Sequence, residues 1–249
     1  MKILLVSPLP PPVGGIATVT ANLLSYLKND PGIFEIILCN TTLKFRSITS
    51  QSFLTRVYSG LYNSIRTFLL VNKAVTAESP QVIHLASSSS FALFKDILLI
   101  FIAKHYKIPI LIHWHFGRIP ELSAKNNWEW KLLKYIIRRS TLSIVIDSKS
   151  YLTLTKAGLT NVQNIPNPLG LEAELKAKLR AEKVNQRMQG RLIFVGHVVR
   201  SKGVYELVEA SSLLDLITDL SLIGPCEENV KKELLKIAGR REQGRWLHF

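Results

Sequence analysis

Short apolar runs rich in β-branched residues alternate along this chain with longer stretches whose apolar residues return every three or four positions. The short runs predict strands at residues 2–6, 34–39, 82–85, 110–113, 142–146, 162–165, 192–195, 221–223 and 245–249. The longer stretches predict helices at 16–28, 52–77, 91–104, 128–139, 148–157, 172–188, 204–213 and 227–238. Strands alternating with helices predict parallel sheets built from βαβ units. The strand runs are apolar throughout, as expected when helices cover both faces of a sheet. A break falls at Ile165-Pro166-Asn167-Pro168-Leu169-Gly170, where two prolines and a glycine resist helix and central strand alike. Two α/β domains are therefore expected, 1–168 and 169–249, the second with only three strands.

Composition narrows the class. With 249 residues, nearly half hydrophobic and a fifth charged, the chain is long enough for a buried core and is neither disordered nor fibrous. Cys39 and Cys226 stand far apart and give no disulfide framework, so a reducing compartment is the default. The first apolar run is too short for a signal peptide, and Pro8, Pro10, Pro11 and Pro12 end it. The longest apolar stretch, 91–103, is interrupted by Lys95 and Asp96 and is too short to span a bilayer. The net charge of +14 is uneven: 18 basic residues face 7 acidic ones up to Gly170, and 14 face 11 thereafter. A basic first half suits an anionic partner, either a phosphorylated ligand or an acidic membrane surface; a solvated basic face is the alternative. Nucleic acid is not expected, because no helix-turn-helix, zinc-finger or RNP pattern is present.

Ligands of open parallel sheets bind at the carboxyl ends of strands, so chemistry is sought just after each strand. After the first comes Pro12-Val13-Gly14-Gly15-Ile16, where glycines let backbone amides approach an anion at a helix start. A tight turn without a ligand fits equally well. The sequence matches neither G-x-G-x-x-G nor a P-loop. Ser87 to Ser90 follow the third strand and are read first as caps of the next helix. After the fourth comes His113-Trp114-His115-Phe116-Gly117-Arg118. Alternation puts His113 and His115 on one side and Trp114 on the other. No third ligand or carboxylate is close enough in sequence to suggest a metal. A phosphate or sugar hydroxyl fits the pair better, with a structural histidine as the alternative for one of them. In the second domain, Gly196-His197 and Arg200-Ser201-Lys202-Gly203 join strand to helix. Arg200 and Lys202 oppose the helix dipole there, a cost that a bound dianion would relieve.

These motifs resemble the family 4-like retaining glycosyltransferases. The resemblance rests on Pro12–Ile16, Val82-Ile83-His84-Leu85, His113–Gly117 and Ile165-Pro166-Asn167, with Phe194-Val195-Gly196-His197 through Lys202-Gly203-Val204 as the most specific unit. It implies a GT-B fold, two Rossmann-like domains facing each other across a cleft. It implies transfer of a sugar, with retention, from a nucleotide-sugar donor to a glycan or lipid-linked acceptor, as in cell-surface polysaccharide synthesis. It implies no metal and no cofactor beyond the donor itself. Gly14 and Gly15 would lie near the donor phosphates, His115, or else His113, would face the transferred sugar, and Gly196 and Lys202 would hold the diphosphate. His197 stands where the family has an arginine, and Arg200 is the candidate to replace its charge.

The resemblance also implies that the second domain continues with a Glu-x7-Glu stretch whose carboxylates bind the ribose and the donor sugar; nothing after Phe249 supplies it, so a fragment or truncated product with weak or no activity alone is expected. A non-catalytic α/β binding module is the alternative, and a nucleotide-sugar epimerase or dehydrogenase is disfavoured by the missing dinucleotide fingerprint. Cytoplasmic location is expected, peripheral at the inner face of the membrane. Lys44, Arg46, Arg56 and Arg66, interleaved with Phe53, Leu54, Tyr58, Leu61 and Tyr62, are the candidate contacts to anionic headgroups.

Overall fold

The computed structural model describes residues 1–11, 14–29, 34–42, 53–88, 90–168, 170, 176, 190–214, 216–217 and 219–249. Pro12, Val13, Lys44, Arg46, Ser89, Leu169 and nearly all of the expected helix 172–188 lie outside them, as do the side chains of residues 53–59. The chain divides into two compact units, Met1–Lys176 and Ala177–Phe249.

The first unit holds β1 (Lys2–Ser7), α1 (Gly15–Asn29), β2 (Glu35–Asn40), α2 (Phe53–Glu78), β3 (Val82–Ser87) and α3 (Ala92–His105). There follow β4 (Ile110–Trp114), α4 (Ile119–Lys125), α5 (Trp128–Arg139), β5 (Leu142–Val145), α6 (Ser148–Lys156) and β6 (Val162–Asn164). All six strands run parallel in the order β2-β1-β3-β4-β5-β6. The chain therefore leaves β1 in one direction to reach β2 and in the other from β2 to β3. Right-handed crossovers then put α1 on one face of the sheet and α2, α3, α5 and α6 on the other.

The core follows that division. Leu4, Val6, Ile83, Leu85, Ile112, Trp114 and Val145 point to the face covered by four helices and pack on Val71, Leu99, Leu133 and Leu154. Local chemistry marks the helix starts. Asn127 caps α5 by accepting the Trp130 amide at 3.1 Å, and Asp147 caps α6 by accepting the Ser150 amide at 2.8 Å. The sequence pattern missed α4, whose second residue is Pro120. Proline reads as a breaker inside a pattern but is well tolerated in a first helical turn.

The second unit holds β7 (Arg191–Val195), α7 (Val204–Ser212), β8 (Asp219–Ile223), α8 (Glu228–Ala238) and β9 (Leu247–His248). Its parallel sheet runs β7-β8-β9. Phe194, Leu220 and Leu222 face Val204, Val208, Leu234 and Trp246. Ile193, Val195 and Ile223 alternate with these and are exposed.

Candidate functional site

The order β2-β1-β3 makes β1 and β3 the switch point of the first sheet, where a crevice opens beyond the carboxyl ends of the strands. Three histidines gather beside it. Register pairs Leu5 with His84 and Ala86 with His113, so both imidazoles lie on the face that α1 partly covers. The His84 and His113 rings stack 6.0 Å apart at 16°, and His113 and His115 are 4.0 Å apart. Trp114 points the other way, fully buried, its Nε1 donating to Ser143 Oγ at 3.2 Å. The alternation expected along 113–115 is what the structure contains.

His84 joins them through strand register, a relation that periodicity along one strand cannot reveal. Asn167, from the Ile-Pro-Asn segment after β6, hydrogen-bonds the His115 side chain. A Cβ on Gly170 would approach Asn22 of α1 to 3.1 Å, so that segment returns across the strand ends to α1. The histidines thus sit on β3 and at the end of β4, with Asn167 against His115.

Electrically the cluster is neutral. Burial holds His84 at about 4, His113 at about 3 and His115 at about 4, against an ordinary 6.5. His115 pushes His84 and His113 further down, His84 also lowers His113, and Asn167 partly offsets the burial of His115. His113 Nε2 and His115 Nδ1 are buried without a hydrogen-bond partner. Buried polar atoms normally have partners, so these two are open to a ligand hydroxyl or phosphate oxygen. Stacked rings do not converge their lone pairs, and among the described residues no group of three or more metal-ligating side chains is placed to hold an ion.

The glycine loop is open. A Cβ on Gly14 or Gly15 would meet nothing within 4 Å, so internal packing does not require glycine at either position. Gly15 starts α1, whose first amides point out of the helix. Ser7 and Thr20, buried behind the loop, share a hydrogen bond of 2.5 Å.

The serine run behaves differently from its expected role. No side chain caps α3, whose N-cap is Phe91. Ser87 donates instead to Asp96, and Ser90 donates to Glu129 at 2.9 Å. Asp96 is wholly buried and lies 2.9 Å from Lys95 Nζ; burial pushes its carboxyl up while Lys95 and Ser87 pull it down. Arg118 does not join the histidines but pairs with Glu129 and Ser90, each at 3.2 Å. Two cavities, of about 290 and about 410 Å³, lie elsewhere, one against Pro109 and Thr141 and the other against Cys39 and Arg66.

In the second unit, β7 is followed by Gly196 (φ 151°). Arg200–Lys202 form a separate 3-10 turn, and Gly203 (φ 73°) leads into α7, so the two cations precede the helix rather than start it. Arg200 stacks 3.8 Å over Tyr205 and lies 4.0 Å from Glu233. The Tyr205 hydroxyl donates to Glu233 at 2.6 Å, which holds the phenol above its ordinary value. Among the described residues Lys202 has no side-chain partner and is exposed. Arg200 is thus already matched in part, while Lys202 is free to meet an anion.

A sequence model of the family described as Glycosyltransferase Family 4 matches residues 13–172. The chain belongs to glycosyltransferase family 4. Solved structures agree on the fold. Anabaena HepE in complex with UDP and glucose aligns with a TM-score of 0.59 at 14% identity, over the whole of this chain and 68% of that one. An E. coli trehalose-6-phosphate protein bound with UDP-2-fluoro glucose aligns at 0.58 and 14%, over 100% and 73%. The UDP-GlcNAc 2-epimerase from Neisseria meningitidis bound to UDP-GlcNAc aligns at 0.57 and 12%, over 100% and 71%. No curated protein matches the chain. The fold is GT-B, with two parallel-sheet units. Because epimerases share it, a missing dinucleotide fingerprint does not by itself separate them from transferases.

Proposed function

We propose that this family 4 protein transfers a sugar, with retention of configuration, from a nucleotide-sugar donor to a glycan or lipid-linked acceptor in cell-surface polysaccharide synthesis. The carrying observation is the pair of unpaired, buried imidazole nitrogens of His113 and His115 beyond β4, in a chain of this family. Neutral imidazoles suit the reaction. The carbon losing its phosphate gains positive charge, and an imidazolium beside it would raise the barrier, whereas a neutral ring accepts or donates a hydrogen bond to a sugar hydroxyl. His115 is assigned to the sugar, with His113 supporting it.

The remaining roles concern the leaving group. Within the first unit the amides at Gly14 and Gly15 are assigned to donor phosphate. Within the second unit Lys202 takes that role, with Arg200 and the Gly196 turn beside it. As the bond from the anomeric carbon to the phosphate oxygen breaks, a bond to the acceptor oxygen forms on the same face. The acceptor proton passes to the departing phosphate oxygen, so no protein nucleophile and no metal is called for. An acceptor carried on a membrane lipid places the protein at the cytoplasmic face of a membrane. No helix among the described residues is long and apolar enough to cross one.

Calorimetric titration with UDP and with UDP-sugars tests the assignments. Lys202→Ala is expected to weaken UDP and UDP-sugar alike by roughly tenfold or more, the scale of a charge-assisted hydrogen bond. His115→Ala is expected to weaken UDP-sugar while leaving UDP unchanged. Unaltered affinities in both variants would overturn them.

A further inference from the structure

The outward face of the helix layer carries an apolar patch that the chemistry above does not use. On α2, Leu61 and Leu69 are 60% exposed and Ile65 is 50% exposed, with Tyr62 beside them. Across from them Phe94 on α3 and Trp128 on α5 are each 50% exposed. Phe91, Phe94 and Trp128 form a continuous stack, with centroids 6.5 and 5.9 Å apart. A Cβ on Gly60 would touch Phe91 at 3.7 Å, which ties the stack to α2. A contiguous exposed patch of this kind, rather than scattered residues, marks an interaction surface.

The charge around it selects the partner. Helices α2, α3 and α5 carry nine lysines and arginines against three acidic residues. Two of the three, Asp96 and Glu129, are buried and paired with Lys95 and Arg118. The third, Glu78, ends α2 and bonds Lys2. Of the exposed cations, Lys131 stands one turn from Trp128, while Lys73 and Arg138 lie toward the carboxyl ends of α2 and α5 in the same helix layer. Aromatic and aliphatic side chains on a helix layer with this basic excess match an anionic lipid surface, with rings at headgroup depth and charges on the phosphates.

We propose that this face, centred on Phe94 and Trp128, docks the protein on an anionic phospholipid bilayer. The headgroup contacts expected from sequence centred on α2 and the residues before it. The described structure shifts the centre to α3 and α5, and one guanidinium nitrogen of Arg66 is buried rather than presented outward. Helices in a parallel layer run opposite to the strands, so the first turns of α3 and α5 lie at the carboxyl end of the sheet, the end that holds the histidines. Docking there brings a lipid-carried acceptor to the end of the unit where transfer is proposed. The test below needs no donor, so it stands or falls apart from the transfer reading.

The experiment uses the full chain with phosphatidylcholine vesicles, with or without phosphatidylglycerol. Trp114, Trp130 and Trp246 are already buried, so a blue shift in tryptophan emission on binding reports Trp128. Co-sedimentation is expected with the anionic vesicles alone, weakened by salt, and accompanied by that shift. Phe94→Ser combined with Trp128→Ser should abolish it, and Lys131→Glu with Arg138→Glu should weaken it roughly fivefold or more per site. Circular dichroism of each variant separates lost docking from lost fold; where Phe94→Ser fails to fold, Trp128→Ser alone serves. No co-sedimentation by the parent chain, or undiminished binding by folded patch variants, would overturn the proposal. So would a dimer, seen by analytical ultracentrifugation, that the patch variants dissociate without change in vesicle binding, because the face would then belong to a second copy.

Discussion

Lowering the pH from 7.5 to 5 should destabilise the first unit through His84, His113 and His115 together. Their folded-state pKa values are depressed to about 4, 3 and 4 from 6.5. Below pH 6.5 the unfolded chain therefore binds protons that the folded one refuses. The stability these groups contribute is full above that value and is lost as pH falls toward 4 and 3. At pH 5 an unfolded histidine is mostly protonated and a folded one in this cluster mostly is not, a difference of about 2 kcal/mol per residue. Three such residues give up to about 6 kcal/mol, an upper bound because the rings share part of their mutual repulsion. That is comparable to the whole stability of a small domain, ~5–15 kcal/mol. Urea unfolding at the two pH values, followed by tryptophan fluorescence, measures the loss. His113→Gln should reduce it by about 2 kcal/mol. Ring-proton NMR, assigned with single His→Gln variants, should show all three imidazoles uncharged at pH 5. A midpoint near 6.5 for any of them would refute the reasoning.

Other substitutions test the frame around the sites. Gly224→Ala would set a Cβ 2.0 Å from the Gly196 carbonyl oxygen at φ 145°, and should unfold the second unit at a cost of roughly 3 kcal/mol or more, read by loss of Trp246 burial. Asp96→Ala leaves Lys95 buried without its partner and should cost about 3–5 kcal/mol in thermal unfolding, whereas Lys95→Met with Asp96→Leu should recover most of that. Asp147→Ala removes the cap of α6 and should cost about 1 kcal/mol; an unchanged midpoint would show the cap to be dispensable.

Much of this architecture was legible along the chain. In the first unit strands and helices followed the apolar runs, as at residues 82–85 and 110–113, because a sheet covered on both faces needs continuous apolar strands; in the second the run 192–195 is as apolar, yet Ile193 and Val195 are exposed. The pairing of His113 with His115 was legible too, since both stand on one strand end. What escaped depends on neighbours in space. His84 reaches the cluster through register across a helical crossover, and Asn167 through the return of the chain to α1. Ser87 and Ser90, good caps by type, are claimed by Asp96 and Glu129, which sequence separation hides. The helix at Ile119–Lys125 is too short, and too close to Pro120 and Asn126, to show a period.

The central claim is chemical and is met most directly by following the sugar. The full chain is incubated with a panel of labelled nucleotide sugars and a membrane-lipid extract, and the products are separated and their anomeric configuration determined. Transfer of label to a lipid or glycan with the donor's anomeric configuration, lost in His115→Ala, is the predicted result. Recovery of the donor altered only at the sugar's C2, with no label in any acceptor, would contradict it and assign the chain to epimerisation instead.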